Sequence, residues 1–535
     1  MIKCLIFFYI LIILILFPSK SFAYLDPGTG SIILQALIGL IASFFTAFYI
    51  FWNKVKLYIK KIYSKIFKKI MFKIPGSFRD PSGNVFNYQN KIIRSVSKIG
   101  EQKYLYIKNN NIIEESIKNN FLINTFEIND VLLKERLKSS FLLEHQKLEY
   151  ISYPYEWCFE QLRDAAIHHL NYQIFLLEKD FELIDASAYN IQFIRGKPIF
   201  IDCLSLNRYQ KGSPWFGHTQ FCEQFLNPLL FTLSTKVLFN NFYKGSLEGI
   251  KNNEIVKILN FSLKINLTIF FNILLPNLFD KFSKKKKFSD QVLTNNKRIK
   301  NNFNKNSYFW LIRSLKKFIS SIKNPLIPTF WGRYNEEKTY SDINYNKKKE
   351  IVANFVKRNK TKSIVDLGCN DGDFSELCLT NGAEHVVGLD YDHISIEKSY
   401  IRSKTKKLNF LPLYFDASNP SSNIGWYQNE RNGFLERCNF DGLIALAFEH
   451  HLAIAKNIPL EELIKWFLDI APLGLIEFVP KNDKTVSVML SLKGDIFPDY
   501  TEENFRKILA KLSNIVSISD VGDSGRKIYE YKKLR

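Results

Sequence analysis

Paired cysteines are missing from this chain. Its seven cysteines are scattered, no Cys-x-x-Cys occurs, and Cys4 lies in the leading apolar run. That excludes a zinc-ribbon frame and a disulfide scaffold and fits reduced thiols, so no metal site is expected. Acid is also scarce: 52 Asp and Glu face 74 Lys and Arg, for a formal net charge of +22. The surplus collects in flanks and linkers, at Lys54, Lys56, Lys60, Lys61, Lys65, Lys68 and Lys69 and again at Lys284 to Lys287. Such clusters suit anionic lipid head groups. No nucleic-acid reading module accompanies them, so nucleic acid is not the expected partner. No internal repeat is present.

What is present begins with two apolar segments. MIKCLIFFYILIILILFPSKSFA has a basic start, an apolar run and a small-residue ending at Ser21-Phe22-Ala23, the pattern of a signal peptide over residues 1–23. A second run, Ile32 to Trp52, is long enough to span a bilayer, and the lysines behind it mark the cytoplasmic flank. Residues 24–75 then form a transmembrane helix with a basic juxtamembrane segment. An uncleaved pair of helices turning at Asp26-Pro27-Gly28 is the alternative. Both place the body of the chain on the cytoplasmic side of a bacterial inner membrane.

The most informative stretch is SIVDLGCNDGDFSELCLTNGAEHVVGLDYD. It reads as a strand (363–367), a turn bracketed by Gly368 and Gly372, a helix from about Asp373, and a second strand (386–389) ending at Asp390. A doubly wound α/β sheet builds nucleoside sites this way, at the carboxyl ends of its strands. The third glycine of a dinucleotide fingerprint is absent, and acid at Asp366, Asp371 and Asp373 repels a pyrophosphate but suits a sulfonium. The turn resembles motif I of class I S-adenosylmethionine-dependent methyltransferases, with Asn370 in place of the middle glycine. Asn tolerates a left-handed backbone better than other non-glycine residues.

The resemblance extends down the chain. Strands are expected at 408–416, ending in Asp416, and at 440–447 and 473–480, followed by a helix at 502–512 and a terminal hairpin with Gly522 and Gly525. It implies a seven-stranded Rossmann-like sheet over 330–535. It further implies S-adenosylmethionine held by Asp366, Gly368, Asn370, Gly372, Asp390 and Asp416. After the fourth strand come Glu449, His450 and His451. Either histidine is a candidate base, with Glu449 or Glu477 to orient it or to bind a substrate hydroxyl. The Asn-Pro-Pro-Tyr signature of amino-directed methyltransferases is missing, which favours an oxygen acceptor. Residues 331–349 resemble the lead-in that covers the cofactor, with Tyr334 and Tyr340 as lid candidates.

Residues 76–280 form a separate domain in this reading. Asp185, Asn190 five residues later, and Asp202 at the end of a hydrophobic strand resemble the catalytic-loop acid and magnesium ligands of protein kinases and aminoglycoside-phosphotransferase-like enzymes. Residues 148–157 match the hinge, and 161–178 the helix before the catalytic loop. Several kinase features are absent. Leu183 stands where the family has His, Cys203 and Leu204 follow the magnesium Asp in place of Gly, and no glycine-rich phosphate loop exists. No strand-three lysine is assignable, although Arg94 or Lys98 could approach that place. A degenerate kinase-like α+β domain follows, with ATP and magnesium as possible ligands, and a chance spacing stays open.

A Lys/Asn-rich linker is expected at 281–329, and the apolar 265–279 before it suits a buried or interfacial helix. YISYPYEW, DASAYNIQF, WFGHTQFCEQFLNPLL, DLGCNDGDFS and the later IEFVPKNDKTV together resemble one family of class I methyltransferases. It includes nodulation-type proteins and members associated with surface-glycan biosynthesis. The opening YLDPGTGSIILQALIGLIASFF resembles a small membrane segment of bacterial envelope loci. The resemblance implies a membrane-anchored enzyme that methylates a glycan or lipid-linked saccharide. Phosphotransfer by the first domain and a non-catalytic scaffold are the alternatives.

Overall fold

A computed structural model describes residues 38, 39, 43, 71–285, 304–326 and 342–534. The expected signal peptide, the expected membrane helix apart from residues 38, 39 and 43, the centre of the Lys/Asn-rich linker, Tyr334 and Tyr340 lie outside the described residues. Among the described residues, no helix is long and apolar enough to cross a membrane.

Residues Lys73–Arg535 form one compact unit; its amino-terminal part, called the first domain below, opens with an antiparallel sheet. β1 (Val85–Tyr88) turns through Gln89 and Asn90, both left-handed, into β2 (Lys91–Val96). The helix α1 (Glu101–Asn109) follows, then β3 (Thr125–Ile128) and β4 (Phe141–His145), with β4 lying between β2 and β3. Residues 146–157 lead to α2 (Phe159–Glu178), whose Leu162, Ala165, Ala166, Leu170, Leu176 and Leu177 are fully buried. Two small antiparallel pairs come next. β5 (Phe181–Leu183) pairs with β8 (Leu206–Arg208), and β6 (Ile191–Ile194) with β7 (Lys197–Phe200). The stretch 265–279 is helical from Leu267 onward and includes a π turn at Phe270–Leu274.

One boundary moves. Residues at the end of the expected linker form α3 (Lys305–Ser321), which buries Tyr308, Ile312, Leu315 and Ile319. These fall at helical spacing on one face. That face rests on α2, where Gln173 donates to the Tyr308 hydroxyl at 2.8 Å. The periodicity was hidden in a Lys/Asn-rich context, and packing against α2 reveals it.

The second domain is a doubly wound sheet. Its elements are α4 (Asp342–Asn359), β9 (Ser363–Leu367), α5 (Asp373–Thr380), β10 (His385–Asp390), α6 (His393–Lys406), β11 (Phe410–Tyr414), β12 (Gly442–Ala445), α7 (Leu460–Ile470), β13 (Leu473–Phe478), α8 (Glu502–Leu512), β14 (Ser513–Asp520) and β15 (Lys527–Lys533). The seven strands run in the order β11-β10-β9-β12-β13-β15-β14. The first five are parallel, and β15 and β14 close the sheet antiparallel. Helices on both faces require nearly continuous apolar strands, and β12 is buried at all four positions. Side chains set the helix starts: Asp392 accepts from Ser395 N, and Thr501 from Asn504 N. On α7, Leu460, Leu463, Ile464, Phe467 and Leu468 form the stripe that faces the sheet. Strand order reverses between β9 and β12, and such a switch point opens a crevice at the strands' carboxyl ends.

Candidate active site

A cavity of about 980 Å³ lies at that crevice. Its cofactor side is built by the turn after β9. Gly368 has φ +74°, and a Cβ there would meet the Phe448 ring at 2.8 Å, so both backbone sign and space demand glycine. Asn370 adopts φ 48°, the left-handed geometry the sequence required of it. Its amide donates to Asp390 Oδ2 at 2.9 Å, and the Asp392 amide donates to Oδ1 at 2.8 Å. Gly372, at φ +85°, caps α5 against Phe410 rather than facing the cavity.

Four of the expected cofactor residues, Asp366, Gly368, Asn370 and Asp390, line this wall, and Asp416 lines the cavity as well. Asp366 accepts from Ser375 Oγ at 2.6 Å, and burial pushes its carboxyl up to about 7. Burial likewise raises Asp390 to about 6. The acid of the turn is partly neutralised from within: Arg402 pairs with Asp371 at 3.2 Å, with Glu376 at 3.0 Å and with Asp373. The charge argument therefore narrows to Asp366 and Asp390. Buried carboxyls, apolar Leu446, Phe415 and Ala417, and a glycine-lined turn fit a cationic nucleoside such as S-adenosylmethionine.

The cavity is also lined by His450 and His451, whose rings lie 4.2 Å apart. Burial pushes both below the usual imidazole range, His451 to about 4, so both are neutral at pH 7. His450 is 2% exposed, and its Nδ1 has no hydrogen-bond partner among the described residues.

Glu449, expected beside them in the chemistry, is not itself part of the lining, and its Oε2 lies 3.8 Å from His450 Nδ1. It is fully buried, accepts from the Val479 amide at 2.8 Å and sits 3.0 and 3.1 Å from the Tyr500 hydroxyl. Burial raises it to about 8, so it is a neutral acid holding the loops after β12 and β13 together. Glu477 is also fully buried, in an ion pair with Lys348 at 2.7 Å.

Sequence reasoning missed Lys348 and Arg526. Both line the cavity, and Arg526 holds Asp483 at 2.7 Å and approaches Glu477 at 3.4 Å. Lys348 belongs to a lysine run, Lys347-Lys348-Lys349, that reads as a solvated face. Its 3% exposure comes only from docking of α4.

In the first domain, Asp185, Asn190 and Asp202 converge. Asn190 donates to Asp185 Oδ2 at 3.0 Å. Asp202, expected to hold magnesium, instead binds Arg94 Nη1 at 2.9 Å, and Arg94 also pairs with Asp80. Lys103 on α1 stands near, donating to the Leu204 carbonyl at 2.5 Å. The nearby guanidinium keeps Asp202 below its ordinary carboxylate range despite burial. Arg94 thus supplies internally the positive charge that a metal would bring. Of the two residues considered for a strand-three cation, Lys98 pairs with Glu101 at 2.6 Å and Arg94 with Asp202.

Comparison with known proteins matches these features. Residues 345–417 fit the model of the FtsJ-like methyltransferases. The chain is 38% identical over 464 residues to nodulation protein NoeA of Rhizobium meliloti strain 1021, covering 86% of this chain and 96% of that protein. Among solved structures, magnesium protoporphyrin IX methyltransferase of Synechocystis PCC 6803 with bound S-adenosylhomocysteine is 18% identical, covers 36% of this chain and 84% of that one, and gives a TM-score of 0.26. The N-methyltransferase NodS of Bradyrhizobium japonicum WM9 with S-adenosylhomocysteine is 11% identical, covers 39% and 100%, and gives 0.28. The family model and the relative, with the strand order and the turn after β9, make the chain a class I S-adenosylmethionine-dependent methyltransferase, and it belongs to the family of nodulation protein NoeA.

Proposed function

We propose that this enzyme O-methylates a sugar hydroxyl of a surface glycan or of its lipid-linked precursor. The reaction takes place at the cytoplasmic face of a bacterial inner membrane. The observation that carries the reading is one cavity lined both by buried carboxyls and by two neutral imidazoles. Bound S-adenosylmethionine supplies an electrophilic methyl group. Asp366, Asn370, Asp390 and Asp416 hold it, with Gly368 and Gly372 shaping the turn. His450 or His451 receives the acceptor hydroxyl's proton. As the new C–O bond forms, that proton becomes strongly acidic, so an imidazole of low basicity suffices to take it. The apolar segments of residues 1–75 and the lysines behind them support membrane attachment, which would hold the site beside lipid-linked saccharides.

The first domain is proposed to be kinase-like in shape and degenerate in chemistry. Its strand and helix order, the Asp185–Asn190 pair and Asp202 support the shape. Arg94 on Asp202 argues against a magnesium-dependent phosphotransfer.

The deciding experiment incubates the full chain with methyl-labelled cofactor and envelope lipid extract. Label in the lipid-linked saccharide fraction is expected, lost when His450→Ala and His451→Ala are combined although S-adenosylhomocysteine still binds. Transfer that survives in the double variant would remove the histidines from the mechanism. Label confined to protein or nucleic acid would remove the sugar acceptor.

A further inference from the structure

The cavity is not made by the methyltransferase sheet alone. Leu238, from the first domain, is part of its lining. It sits on the turn between helices Asn227–Thr235 and Asn240–Lys244. That turn is anchored within the first domain, because the buried Asn240 amide donates to the carbonyls of Tyr155 and Trp157, each at 2.9 Å. A leucine held this way presents a fixed apolar surface.

A second observation points the same way. Asp416, Ala417 and Ser418 line the cavity, and the segment that continues from them runs into the first domain. The Asn419 carbonyl accepts from Lys244 Nζ at 3.1 Å. Glu430 takes both donors of Arg79, at 2.8 and 3.0 Å. The Arg431 guanidinium lies 4.6 Å from the Tyr189 ring centre, and the Asn432 amide donates to the Tyr153 hydroxyl at 3.1 Å. The segment closes on the Arg437–Glu156 pair, at 2.5 and 2.9 Å, both side chains about nine-tenths or more buried. Residues 416–438 therefore begin as cofactor wall and end as the seam between domains.

We propose that the first domain is a working part of the cofactor pocket: Leu238 closes the pocket directly, and Lys244 positions the Asp416–Ser418 wall. This rests on the assignment of the cavity to S-adenosylmethionine. It gives the first domain a role that needs neither ATP nor phosphotransfer. Leu238 is the contact residue, and Lys244 is a positioning residue acting through the Asn419 carbonyl.

The experiment uses the full chain and S-adenosylhomocysteine as probe, with calorimetric affinity and ligand-induced thermal shift as readouts. Leu238→Ala is expected to weaken binding about fivefold, as removal of one apolar contact does. Leu238→Glu should weaken it further, and Lys244→Met should weaken it while leaving unliganded melting unchanged. Val237→Ala is the control, since Val237 is 49% exposed beside Leu238 and is not part of the lining. Wild-type affinity in all three variants, with wild type binding normally, overturns the proposal and leaves the cofactor assignment standing. Failure of wild type itself to bind overturns both. A loss in the variants equal to that in Val237→Ala, accompanied by lower unliganded melting, also overturns it, because the effect is then general destabilisation.

Discussion

At the scale of single residues, protonation state separates structural acids from binding acids. Glu449 is neutral at pH 7, so Glu449→Gln keeps its role as partner to the Val479 amide and Tyr500, whereas Glu449→Ala leaves buried polar groups unmet. The glutamine variant should melt within about 0.5 kcal/mol of wild type and the alanine variant about 1–3 kcal/mol below it, measured by urea unfolding. Asp366 and Asp390 differ because they face the cavity, with folded values near 7 and 6 against an ordinary 3.8. A raised carboxyl favours the fold while protonated. The stability it adds is complete below the ordinary value and is lost as pH rises through 6 and 7. Cofactor binding uses the ionised form, so it gains over the same window. Affinity for S-adenosylmethionine should rise between pH 5 and 8, and Asp390→Asn should flatten that rise. A profile that is flat in wild type would mean that neither carboxyl contacts the cofactor.

At the scale of elements, the antiparallel closure of the sheet is tied to α4 through charge. Lys348 on α4 and Arg526 before β15 share Glu477 at the end of β13, and Arg526 also binds Asp483. Three elements distant in sequence thus meet under the cavity floor. Removing one member of a buried ion pair costs about 3–5 kcal/mol, because its partner stays buried and uncompensated. Lys348→Met should therefore destabilise the protein on that order, and Glu477→Gln in the same chain should recover part of the loss by discharging the partner. The recovery, read from a double-mutant cycle of unfolding midpoints, is the decisive number. Strict additivity would show that the pair is not coupled. The parallel strands, by contrast, owe their places to mostly apolar runs that were plain in the sequence, from Ser363–Leu367 to Leu473–Phe478.

At the scale of the whole molecule, the two catalytic-sized domains share a seam of buried polar contacts. Arg437 with Glu156 is its most enclosed pair, and Gln161 donates to the Pro412 carbonyl at 3.1 Å nearby. Tyr400 and Asp164 add a further bond at 2.7 Å. Such a seam couples the domains' unfolding. Arg437→Ala should cost about 3–5 kcal/mol and split one calorimetric transition into two. Two transitions already present in wild type would show that the domains melt independently.

The sequence by itself determined the order of strands from residue 363 onward, the cofactor turn, and the asparagine that replaces its middle glycine. These are local matters, set by apolar periodicity and by which residues accept a left-handed backbone. The Asp185, Asn190 and Asp202 spacing was legible too, although its charge partners were not. Tertiary structure alone decided that Arg94 occupies Asp202, that Glu449 is a buried acid bonded to Val479 and Tyr500 and that Lys348 is buried. It also decided that α3 belongs to the first domain's core and that Leu238 reaches the second domain's cavity. Each of these depends on which surfaces meet after folding. Burial sets both the charge state and the partner of a titratable group, and no spacing along the chain encodes burial between segments two hundred residues apart.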